Sequence, residues 1–518
     1  MNFATRVEYN ARTQPTDTAL YTLDEEFTWK KIDELSNRFA NLLRTHNIDA
    51  DDKLALYAPS IPEFVPVLYG SMKAGVIPMP INMRFEPKEI QHMIDHVEHK
   101  AVFCRASESE LLSELDTESV EHAFVVGDPL PDLDGMTVHS FNEAIEEVSP
   151  EFDAVPRLDD EPAFFMHTSG TTGRAKPVIA THGTIRAHAL GYIDRLELTD
   201  ADVALNAVPL FHNGGLNLHL TLFTQLGAPQ VLLNGWDAEP VLKAIEEFRT
   251  TYMFVVPTML YDLINRDPEE AEEAYDVTSH RIVGIGGQNV PEATTREFEQ
   301  RFGAQILEGY GLTETMPIIV SNGPDDRKLG TAGRPVENVT NVRIVDIQDW
   351  QTEVETDELG ELIASGDVVS PGYYERPEKN DEDFEVDEDG RRWLHTGDIA
   401  RVDEEGYITI EDRVDNMVIS GGENVYPNEV EQVLFEMDAV AEAVVLGEPH
   451  ERWGERVAAA IVPRNEDLTE EDVFDYFEEN DGIADYKRPR NVIFLDELPR
   501  SGPGKIDRMT IKEEHFSG

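Results

Sequence analysis

The sequence has little of two residue classes, cysteine and the cationic residues. Cys104 is the single cysteine among 518 residues, and there are 43 Lys and Arg residues against 103 Asp and Glu residues. One cysteine excludes an intrachain disulfide and a four-cysteine zinc site, and its place in an apolar run predicts a buried, inert thiol. The formal net charge of −60 repels nucleic acid and anionic lipid headgroups, so neither is an expected partner. An anionic ligand must therefore be bound by local cations and backbone N–H groups.

Long apolar runs are also missing. No uninterrupted apolar run approaches the length that spans a membrane, and residues 1–6 lack the apolar stretch of a signal peptide. We therefore expect a cytoplasmic protein without an integral membrane segment. The acidic residues are scattered along the chain and 40% of the residues are hydrophobic, which favours a folded protein from a high-salt cytoplasm over a disordered chain. Concentrated salt screens such a charge over a few ångströms.

Residues 168–176 form the segment with the most informative chemistry. Its two glycines let backbone N–H groups approach a polyphosphate, its four hydroxyls can donate to phosphate oxygens, and Lys176 adds a mobile positive charge. Residues 163–166 before it are typical of a buried strand, and nucleotide sites of open α/β sheets lie at strand ends. Taken alone, the segment could also be an ordinary polar loop, because its Gly-to-Lys spacing and Pro177 do not fit the P-loop pattern.

Strand and helix patterns alternate along much of the chain. The alternation runs through residues 28–126 and resumes in residues 230–256, which predicts two mostly parallel sheets covered by helices. In residues 330–413, short strands with turns indicate a β-rich subdomain. The acidic run at residues 381–389 is most simply a solvated loop.

The last hundred residues are typical of a compact α+β module. We place the domain boundary near residues 413–416. The predicted fold is therefore α/β, with a large N-terminal domain (1–413) of two helix-covered sheets plus the β-rich subdomain, and a small C-terminal domain (414–518).

Six further motifs follow the phosphate-binding segment in a definite order. One such motif could arise by chance, whereas the whole set is a specific signal. The motifs are GGQ (286–288), EGYGLTE (308–314), LHTGD (394–398), DRVDNM (412–417), GGENVYP (421–427) and PRSGPGKIDR (499–508).

In this order and spacing, the chain resembles the AMP-forming acyl-CoA synthetases of the adenylate-forming superfamily, which includes luciferases and peptide-synthetase adenylation domains. The resemblance covers essentially the whole chain. It implies that the C-terminal domain is a mobile lid, and with the acidic composition it indicates a haloarchaeal source.

The resemblance also implies a reaction in two halves. A carboxylate attacks the α-phosphorus of ATP to give an acyl-adenylate and pyrophosphate, and the thiol of CoA then displaces AMP. ATP, Mg²⁺ and CoA are the implied ligands. No protein nucleophile is needed, so catalysis must come from positioning two anions and neutralising charge at the transferring phosphorus.

The resemblance carries a set of ATP-binding residues onto this sequence. The segment 168–176 would bind the β- and γ-phosphates; Ala175 and Pro177 replace the Pro and Gly that are usual in the family, while the hydroxyls, glycines and Lys176 are kept. The implied ATP or AMP site comprises Thr168, Ser169, Gly170, Thr171, Thr172, Gly173, Lys176, Gly287, Gln288, Glu308, Gly309, Tyr310, Thr313, Asp398, Arg413 and Lys505.

Individual roles follow from the same resemblance. Glu314 would bind Mg²⁺ and Thr313 would contact phosphate, because a hard cation prefers carboxylate oxygen. Tyr310 would offer an aromatic face to adenine, with Gly287 and Gln288 on the other side of the base, although a core tyrosine is an alternative for that position.

Two more roles concern the ribose and the reacting groups. Asp398 would accept both ribose hydroxyls, with Arg413 near the same ribose or phosphate. Lys505 would bridge the substrate carboxylate and the α-phosphate in the first half reaction. Asp415 would be the hinge about which the C-terminal domain swings to admit CoA.

The CoA and acyl sites are implied by weaker likenesses. Gly421, Gly422, Trp453, Tyr486 and Arg488 resemble surfaces that meet CoA in relatives, since aromatic faces stack on adenine and Arg pairs with phosphate. A salt-bridge cluster at the domain interface is the alternative for the basic residues.

His212 would lie beside the acyl pocket, where amino-acid-activating relatives carry Asp, so an uncharged acyl or aryl tail is favoured. A packed structural histidine is the alternative reading of that position. Lys505, Thr313, Glu314 and His212 are thus the predicted catalytic residues.

Two other functions stay open at this point. An adenylating enzyme could pass the acyl group to a carrier protein or an oxygenase instead of CoA, although no carrier domain is fused to the chain. A nucleotide-binding paralogue without catalysis is disfavoured because Lys176, Glu314, Asp398 and Lys505 are all present.

Overall fold

The computed structural model describes most of the chain, and its contacts form two compact units. One unit contains residues 1–342 and 364–394, and the other contains residues 343–363 and 395–518. The described residues are 1–115, 119–168, 175–271, 274–287, 290–420, 423–437, 439–450, 452–464, 468–479, 483–501 and 505–516.

Helices and strands alternate through the first part of the chain. Thr28 shows how a helix start is fixed locally, because its hydroxyl accepts a hydrogen bond from the backbone N–H of Lys31 at 3.2 Å. The elements are α1 (Thr5–Thr13), β1 (Thr18–Tyr21), β2 (Glu26–Thr28), α2 (Trp29–Thr45), β3 (Lys53–Tyr57), α3 (Phe64–Ala74), β4 (Ile77–Pro80), α4 (Pro87–Val97), β5 (Ala101–Arg105), α5 (Ser109–Ser113), β6 (His122–Val126), β7 (Thr137–Ser140), α6 (Phe141–Glu146) and β8 (Pro162–His167).

The alternation continues through the middle of the chain. A π-helical turn, Leu216–Leu220, joins two short helices into one continuous run. The elements are β9 (Pro177–Thr181), α7 (His182–Arg195), β10 (Ala204–Asn206), α8 (Asn213–Gly215), α9 (Thr221–Leu226), β11 (Gln230–Leu232), α10 (Ala238–Phe248), β12 (Tyr252–Val255), α11 (Pro257–Ile264), β13 (Ile282–Ile285), α12 (Glu292–Phe302), β14 (Gln305–Tyr310), β15 (Val320–Ser321), β16 (Arg334–Pro335) and β17 (Asn341–Val345).

Short strands dominate the remainder. The acidic run 381–389, expected to be a solvated loop, contains the end of a helix and a strand, because Pro377 starts a helix that carries the first acids into regular structure. The elements are β18 (Gly360–Ser365), α13 (Pro377–Asp383), β19 (Phe384–Val386), β20 (Arg392–Val402), β21 (Ile408–Arg413), β22 (Val418–Ser420), β23 (Glu423–Val425), α14 (Pro427–Phe435), β24 (Val440–His450), β25 (Gly454–Pro463), α15 (Glu470–Glu479), β26 (Asn491–Phe494), β27 (Arg500–Ser501), β28 (Lys505–Ile506) and α16 (Arg508–Ile511).

A five-stranded parallel sheet, in the order β4-β3-β5-β6-β7, lies in the first unit. Its strands are apolar runs because helices cover both faces. Phe39 of α2 packs with Phe124 in one core, and Met93 of α4 packs with Val102 in the other. Burial raises the pKa of the Cys104 thiol to about 12, so this thiol stays protonated.

A nine-stranded sheet forms the second layer of the first unit, in the order β16-β15-β14-β13-β12-β10-β11-β1-β2. Its central strands are parallel and its outer strands are antiparallel. Helices α10, α11 and α12 contribute to one core cluster with its strands, and α7 and α9 contribute to another. The predicted pair of helix-covered parallel sheets is confirmed. Within the described residues, no helix combines the length and apolar composition that crossing a membrane requires.

The second unit contains the small α+β module. Strands β22, β24 and β25 pair antiparallel in one sheet, β26 joins it parallel to β25, and α14 and α15 supply Val430 and Phe477 to the core beneath it. The contact division passes through β20, earlier in the chain than the joint predicted after Arg413. The α/β class with a small C-terminal module is therefore the fold predicted from the sequence.

Candidate active site

The predicted phosphate-binding segment connects β8 to β9. The two strands pair antiparallel with His167 opposite Pro177, and the backbone N–H of Thr168 donates to the carbonyl of Lys176 at 3.2 Å. These contacts close the base of the segment. Phosphate contacts stay predictions for the residues outside the described part, which are Ser169, Gly170, Thr171, Thr172 and Gly173.

Polar atoms without a partner gather at the end of β8. Thr168 Oγ1, both ring nitrogens of His167 and Nε2 of His212 are buried, and no described residue forms a hydrogen bond with them. The ring centroids of His167 and His212 lie 6.1 Å apart. A buried polar atom left unpaired costs about 1–3 kcal/mol, so this place fits a polar ligand such as a nucleotide phosphate or a substrate carboxylate.

The two histidines at this place are neutral. Burial lowers the pKa of His167 to about 3 and that of His212 to about 4. Neither ring therefore carries charge at neutral pH, and each can offer one N–H donor and one acceptor. His167 was missed in the sequence, where its single signal is its position directly before Thr168.

Local sterics fix the position of His212 at the start of α8. A Cβ on Gly215 would lie 2.4 Å from the carbonyl oxygens of Val208 and Pro209. Only glycine therefore allows the chain to turn into a helix so close to the segment that follows β10. His212 immediately precedes this helix and is half-buried, which brings its ring beside that of His167.

Glu314, Tyr373 and Asp383 form a cluster of three oxygen-bearing side chains. The hydroxyl of Tyr373 lies 2.6 Å from Oε1 of Glu314 and 2.8 Å from Oδ2 of Asp383. A hydroxyl has one proton, so it can donate to only one of the two carboxylates at a time. Burial and the two carboxylates raise the pKa of Tyr373 well above its usual range, which keeps that proton on the phenol.

Glu314 itself is buried, with 9% of its surface exposed. Burial raises the pKa of its carboxyl, and the hydrogen bond from Tyr373 acts in the opposite direction. No described Lys or Arg forms an ion pair with it. Two carboxylates and a hydroxyl are hard oxygen ligands, so their convergence fits a hard cation such as Mg²⁺.

Two lysines lie around this cluster. Nζ of Lys176, at the end of the phosphate-binding segment, lies 5.5 Å from the centroid of the Tyr373 ring. Nζ of Lys379 lies 2.7 Å from Oδ1 of Asp383. Tyr373 and Asp383 were both missed in the sequence, because Asp383 was assigned to a solvated acidic loop and no pattern singled out Tyr373.

The motif at 308–314 begins at the end of β14. A Cβ on Gly311 would lie 1.6 Å from the carbonyl oxygen of Pro317, and one on Gly286 would lie 2.8 Å from that of Gly309. The glycines therefore permit close backbone approaches at the carboxyl ends of β13 and β14. Gly287, with φ of 91°, follows β13 in the left-handed region.

The other residues of these two motifs differ in burial. Glu308 is buried, and burial raises the pKa of its carboxyl to about 7. Tyr310 is half-buried, unlike the fully buried Tyr252 of the core, and Thr313 precedes Glu314 in a 3₁₀ turn. Gln288 lies outside the described residues, so its place beside adenine stays a prediction.

Asp398 and Arg413 lie together in the second unit. They are opposite each other on β20 and β21, with Nη1 of Arg413 3.3 Å from Oδ1 of Asp398. Asp398 is 6% exposed, and its backbone N–H donates to the hydroxyl of Thr396 at 3.1 Å. The two residues assigned to the ribose therefore share one position in the fold.

The proposed hinge and the predicted catalytic lysine also lie in the second unit. Asp415 is in a 3₁₀ turn, Val414–Asn416, directly after β21. Oδ1 of Asp412 stabilises this turn by accepting a hydrogen bond from the Asn416 side chain at 2.9 Å. Lys505 begins β28, and its backbone pairs with that of Ser501 in a short hairpin.

The residues assigned to CoA differ in their surroundings. Trp453 and Tyr486 are 37% and 40% exposed, and the Trp453 ring stacks on His450 at 4.5 Å. Arg488 lies 3.7 Å from Asp485, so part of the basic cluster is ion-paired within its own module. Gly421 and Gly422 lie outside the described residues.

Comparison with known proteins identifies the family of the chain. Residues 7–374 match the family described as AMP-binding enzyme, and residues 429–505 match the AMP-binding enzyme C-terminal domain. A long-chain-fatty-acid–CoA ligase of Escherichia coli O6:H1 is 31% identical over 529 residues, which cover 96% of this chain and 91% of that protein. The indoleacetate–CoA ligase of Aromatoleum aromaticum is 32% identical over 522 residues, which cover 99% of this chain and 98% of that protein.

The fold is also that of a solved structure. ATP-bound MatB from Rhodopseudomonas palustris superposes with a TM-score of 0.88 at 27% identity, over 99% of both chains. The long-chain-fatty-acid and indoleacetate enzymes are CoA ligases, which supports CoA as the acyl acceptor and gives no support to a carrier protein. The chain belongs to the AMP-binding enzyme family and is an ATP-dependent acid–thiol ligase, which forms an acyl-adenylate and then an acyl-CoA.

Proposed function

We propose that the acid activated by this ligase has an uncharged fatty or aryl tail. The observation that carries the proposal is the neutral pair of His167 and His212, whose unpaired ring nitrogens are buried next to the phosphate-binding segment. A substrate with an ammonium group would need a carboxylate at such a place, and position 212 holds an imidazole instead. The similarity to ligases of long-chain fatty acids and of indoleacetate supports both tail types.

Pyrophosphate release over a panel of acids tests this proposal. The panel contains fatty acids of increasing length, aryl acids, an amino acid and a dicarboxylate, each with and without CoA in high-salt buffer. The panel includes the dicarboxylate because the positive charge of Arg84 acts on His212 and contributes to its lowered pKa. A cation at that distance is a partner that a second substrate carboxylate could use. We expect turnover with a fatty or aryl acid. Preference for the amino acid or the dicarboxylate would contradict an uncharged tail.

The nucleotide would bind as its Mg²⁺ complex. Glu314 would hold the ion, with the oxygens of Asp383 and Tyr373 close by, and Thr313 would contact phosphate. Bound Mg²⁺ neutralises part of the charge of the triphosphate. Lys176 would bind the β- and γ-phosphates, and Thr168 Oγ1, buried without a described partner, is free to donate to them.

The adenosine would be bound by residues of the motifs at 286–288, 308–314 and 394–398. Tyr310, which is half-buried, would stack on adenine, with Gly287 and Gln288 on the other side of the base and Glu308 and Gly309 at the end of β14. Asp398 would accept the ribose hydroxyls. Arg413 forms an ion pair with it in the fold, which favours the charged carboxylate, and a carboxylate accepts hydrogen bonds from neutral hydroxyls.

The second half reaction would depend on movement of residues 414–518 about Asp415. Lys505 would neutralise the two anions that meet during adenylation and would then leave. The exposed rings of Trp453 and Tyr486, with Arg488, would bind the nucleotide end of CoA. Gly421 and Gly422 would let CoA approach the protein backbone closely.

Half-reaction kinetics test these roles together. Lys505→Ala should reduce adenylation about 100-fold and largely spare thioester formation from supplied acyl-adenylate. Asp415→Pro should slow mainly the CoA step. Lys512→Ala is the matched control for Lys505, since Lys512 pairs with Glu455. Equal loss in both half reactions for Lys505→Ala, or an unchanged CoA step for Asp415→Pro, would contradict the assignment.

The composition supports a high-salt, cytoplasmic setting and a haloarchaeal source. With 103 acidic and 43 basic residues, self-repulsion destabilises the fold at low ionic strength. The midpoint of thermal unfolding should therefore rise between low and molar KCl. A salt-independent midpoint would contradict this setting.

A further inference from the structure

Three histidine rings meet at the edge of the five-stranded sheet. The ring nitrogens of His46, His122 and His139 that could bind an ion all lie within 4.8 Å of one another. Nδ1 of His122 and Nε2 of His139 form a hydrogen bond at 3.1 Å. Within the described residues this is the one group of three His, Cys, Asp or Glu side chains found with such spacing. None of its members belongs to the nucleotide, acyl or CoA sites.

Three separate elements bring these rings together. The parallel register of β6 and β7 pairs His122 with Thr137 and Phe124 with His139, so His122 and His139 are diagonal neighbours on the sheet face that carries Phe124. Helix α2 covers that face and ends at Thr45. His46 follows directly, and its ring centroid lies 4.1 Å from that of His139 and 4.9 Å from that of His122.

The distances between the ring nitrogens are close to those that a tetrahedrally coordinated ion requires. Bonds of about 2.0–2.1 Å from Zn²⁺ to imidazole nitrogen place two ligand nitrogens about 3.3 Å apart. The hydrogen-bonded nitrogens of His122 and His139, 3.1 Å apart, are already close to this value, so an ion would take the place of the shared proton, and the third ring needs a movement of about 1–1.5 Å. Rotation about the side-chain bonds of a half-buried ring can supply such a movement.

The ring of Phe124 packs against all three histidines, with centroid distances of 5.2 Å to His139, 5.9 Å to His46 and 6.5 Å to His122. This packing holds the three rings near one another. All three are half-buried, so an ion from solution can reach them.

We propose that His46, His122 and His139 bind a borderline divalent transition-metal ion such as Zn²⁺ or Ni²⁺. Imidazole favours these ions over Mg²⁺ and Ca²⁺, which prefer oxygen. The ion would connect the end of α2 to β6 and β7 and so stabilise the edge of the sheet. This site is distinct in chemistry from the oxygen cluster around Glu314.

Calorimetric titration with Ni²⁺ tests the site directly. Excess Mg²⁺ in the buffer occupies the acidic surface, which would otherwise bind Ni²⁺ weakly at many places. The wild-type chain should bind one Ni²⁺, and the double variant His122→Gln/His139→Gln should bind it at least about tenfold more weakly. The matched control is His96→Gln, another half-buried histidine of the same unit. Equal affinity of the double variant and the wild type, or no binding at millimolar Ni²⁺, would overturn the proposal.

Thermal unfolding gives an independent readout and a test of folding. Ni²⁺ should raise the unfolding midpoint of the wild type and of His96→Gln by about 2–5 °C, and should leave that of the double variant unchanged. With Mg²⁺ present and no Ni²⁺ added, pyrophosphate release by the double variant should equal that of the wild type, which shows that it folds. The single variant His46→Gln should lose the same shift. Equal shifts in all variants would mean that the rings only pack around Phe124.

Discussion

Two buried carboxylates of the proposed ATP site lie in contrasting surroundings. Glu314, in the first unit, receives a hydrogen bond from the Tyr373 hydroxyl, and among the described residues no Lys or Arg pairs with it. Asp398, in the second unit, lies 3.3 Å from the guanidinium of Arg413. Both are less than a tenth exposed. One carboxylate therefore has a hydroxyl as its close partner, with the charge of Lys176 acting from farther away, and the other has an ion pair.

This difference matches the two proposed roles. A buried carboxylate without an ion-pair partner is costly until a cation binds beside it, so the Glu314 cluster favours a hard metal ion. A carboxylate already paired with Arg413 has little need of a second cation and can still accept hydrogen bonds from neutral ribose hydroxyls. The chemistry of each position thus follows from its partner rather than from the carboxylate itself.

The largest effect is expected for Glu314→Gln. The amide keeps an acceptor for the Tyr373 hydroxyl but removes the charge that would hold Mg²⁺, so pyrophosphate release should fall about 100- to 1,000-fold. Initial rates at saturating ATP and acid check this. The control is Glu375→Gln, an exposed acid of the same unit, which should leave the rate unchanged. A loss of less than about threefold for Glu314→Gln would contradict the role of Glu314 as the metal ligand, and with it the contrast to Asp398.

A smaller effect is expected for Asp398→Ala. Loss of the ribose acceptor should raise the KM for ATP about tenfold, with kcat less affected. The wild type should prefer ATP to 2′-deoxyATP, and the variant should lose most of this preference. Steady-state kinetics with both nucleotides measure it. An unchanged preference would mean that Asp398 does not contact the ribose.

Tyr373→Phe probes the positioning of Glu314. Without the hydroxyl, the carboxylates of Glu314 and Asp383 lose a shared donor, and the rate at limiting Mg²⁺ should fall about tenfold. Saturating Mg²⁺ should restore part of the loss, because the ion itself can then order the carboxylates. Tyr374→Phe is the neighbouring control. A loss that is independent of Mg²⁺ would point to a structural role only.

The smallest effect concerns Glu308, a third buried acid in the same motif. Its pKa is raised by burial to about 7 in the fold, against 4.5 for an ordinary glutamate. Its contribution to stability is therefore complete below about pH 4.5 and is lost as the pH rises through about 7. The Glu308→Gln variant has no carboxyl to titrate at this position, so it does not lose this stability as the pH rises. Relative to the wild type, it should gain on the order of 1 kcal/mol of unfolding free energy between about pH 5 and pH 8, and an equal pH dependence of the two proteins would exclude the raised pKa.

Much of the fold was predictable because its signals are local. Apolar runs such as β5, with residues of both faces buried, indicate strands covered on two sides, and their alternation with helices predicts parallel sheets. The acidic run around Asp383 was wrongly predicted to be a loop, because a high density of charged residues indicates exposure to solvent and not backbone conformation. Pro377 held the better signal, since proline is common in the first turn of a helix.

The motifs that contribute residues to the site could be predicted from the sequence, whereas the contacts between those residues could not. Glu314 and Lys176 were identified by resemblance, but Tyr373 connects them from a part of the chain about sixty residues beyond Glu314, a contact that only the fold creates. His167 was hidden for another reason. A histidine at a strand end has no pattern of its own, and its two unpaired nitrogens become visible only when its neighbours are placed.

The gain in ATP affinity on adding Mg²⁺ tests the central comparison most directly. Calorimetry of ATP binding with and without Mg²⁺ gives this gain for the wild type, Glu314→Gln and Asp398→Ala. The account predicts a gain of about tenfold or more in the wild type and in Asp398→Ala, even though Asp398→Ala binds ATP more weakly, and no gain in Glu314→Gln. A full gain in Glu314→Gln, or its loss in Asp398→Ala, would contradict the assignment of metal to one carboxylate and ribose to the other.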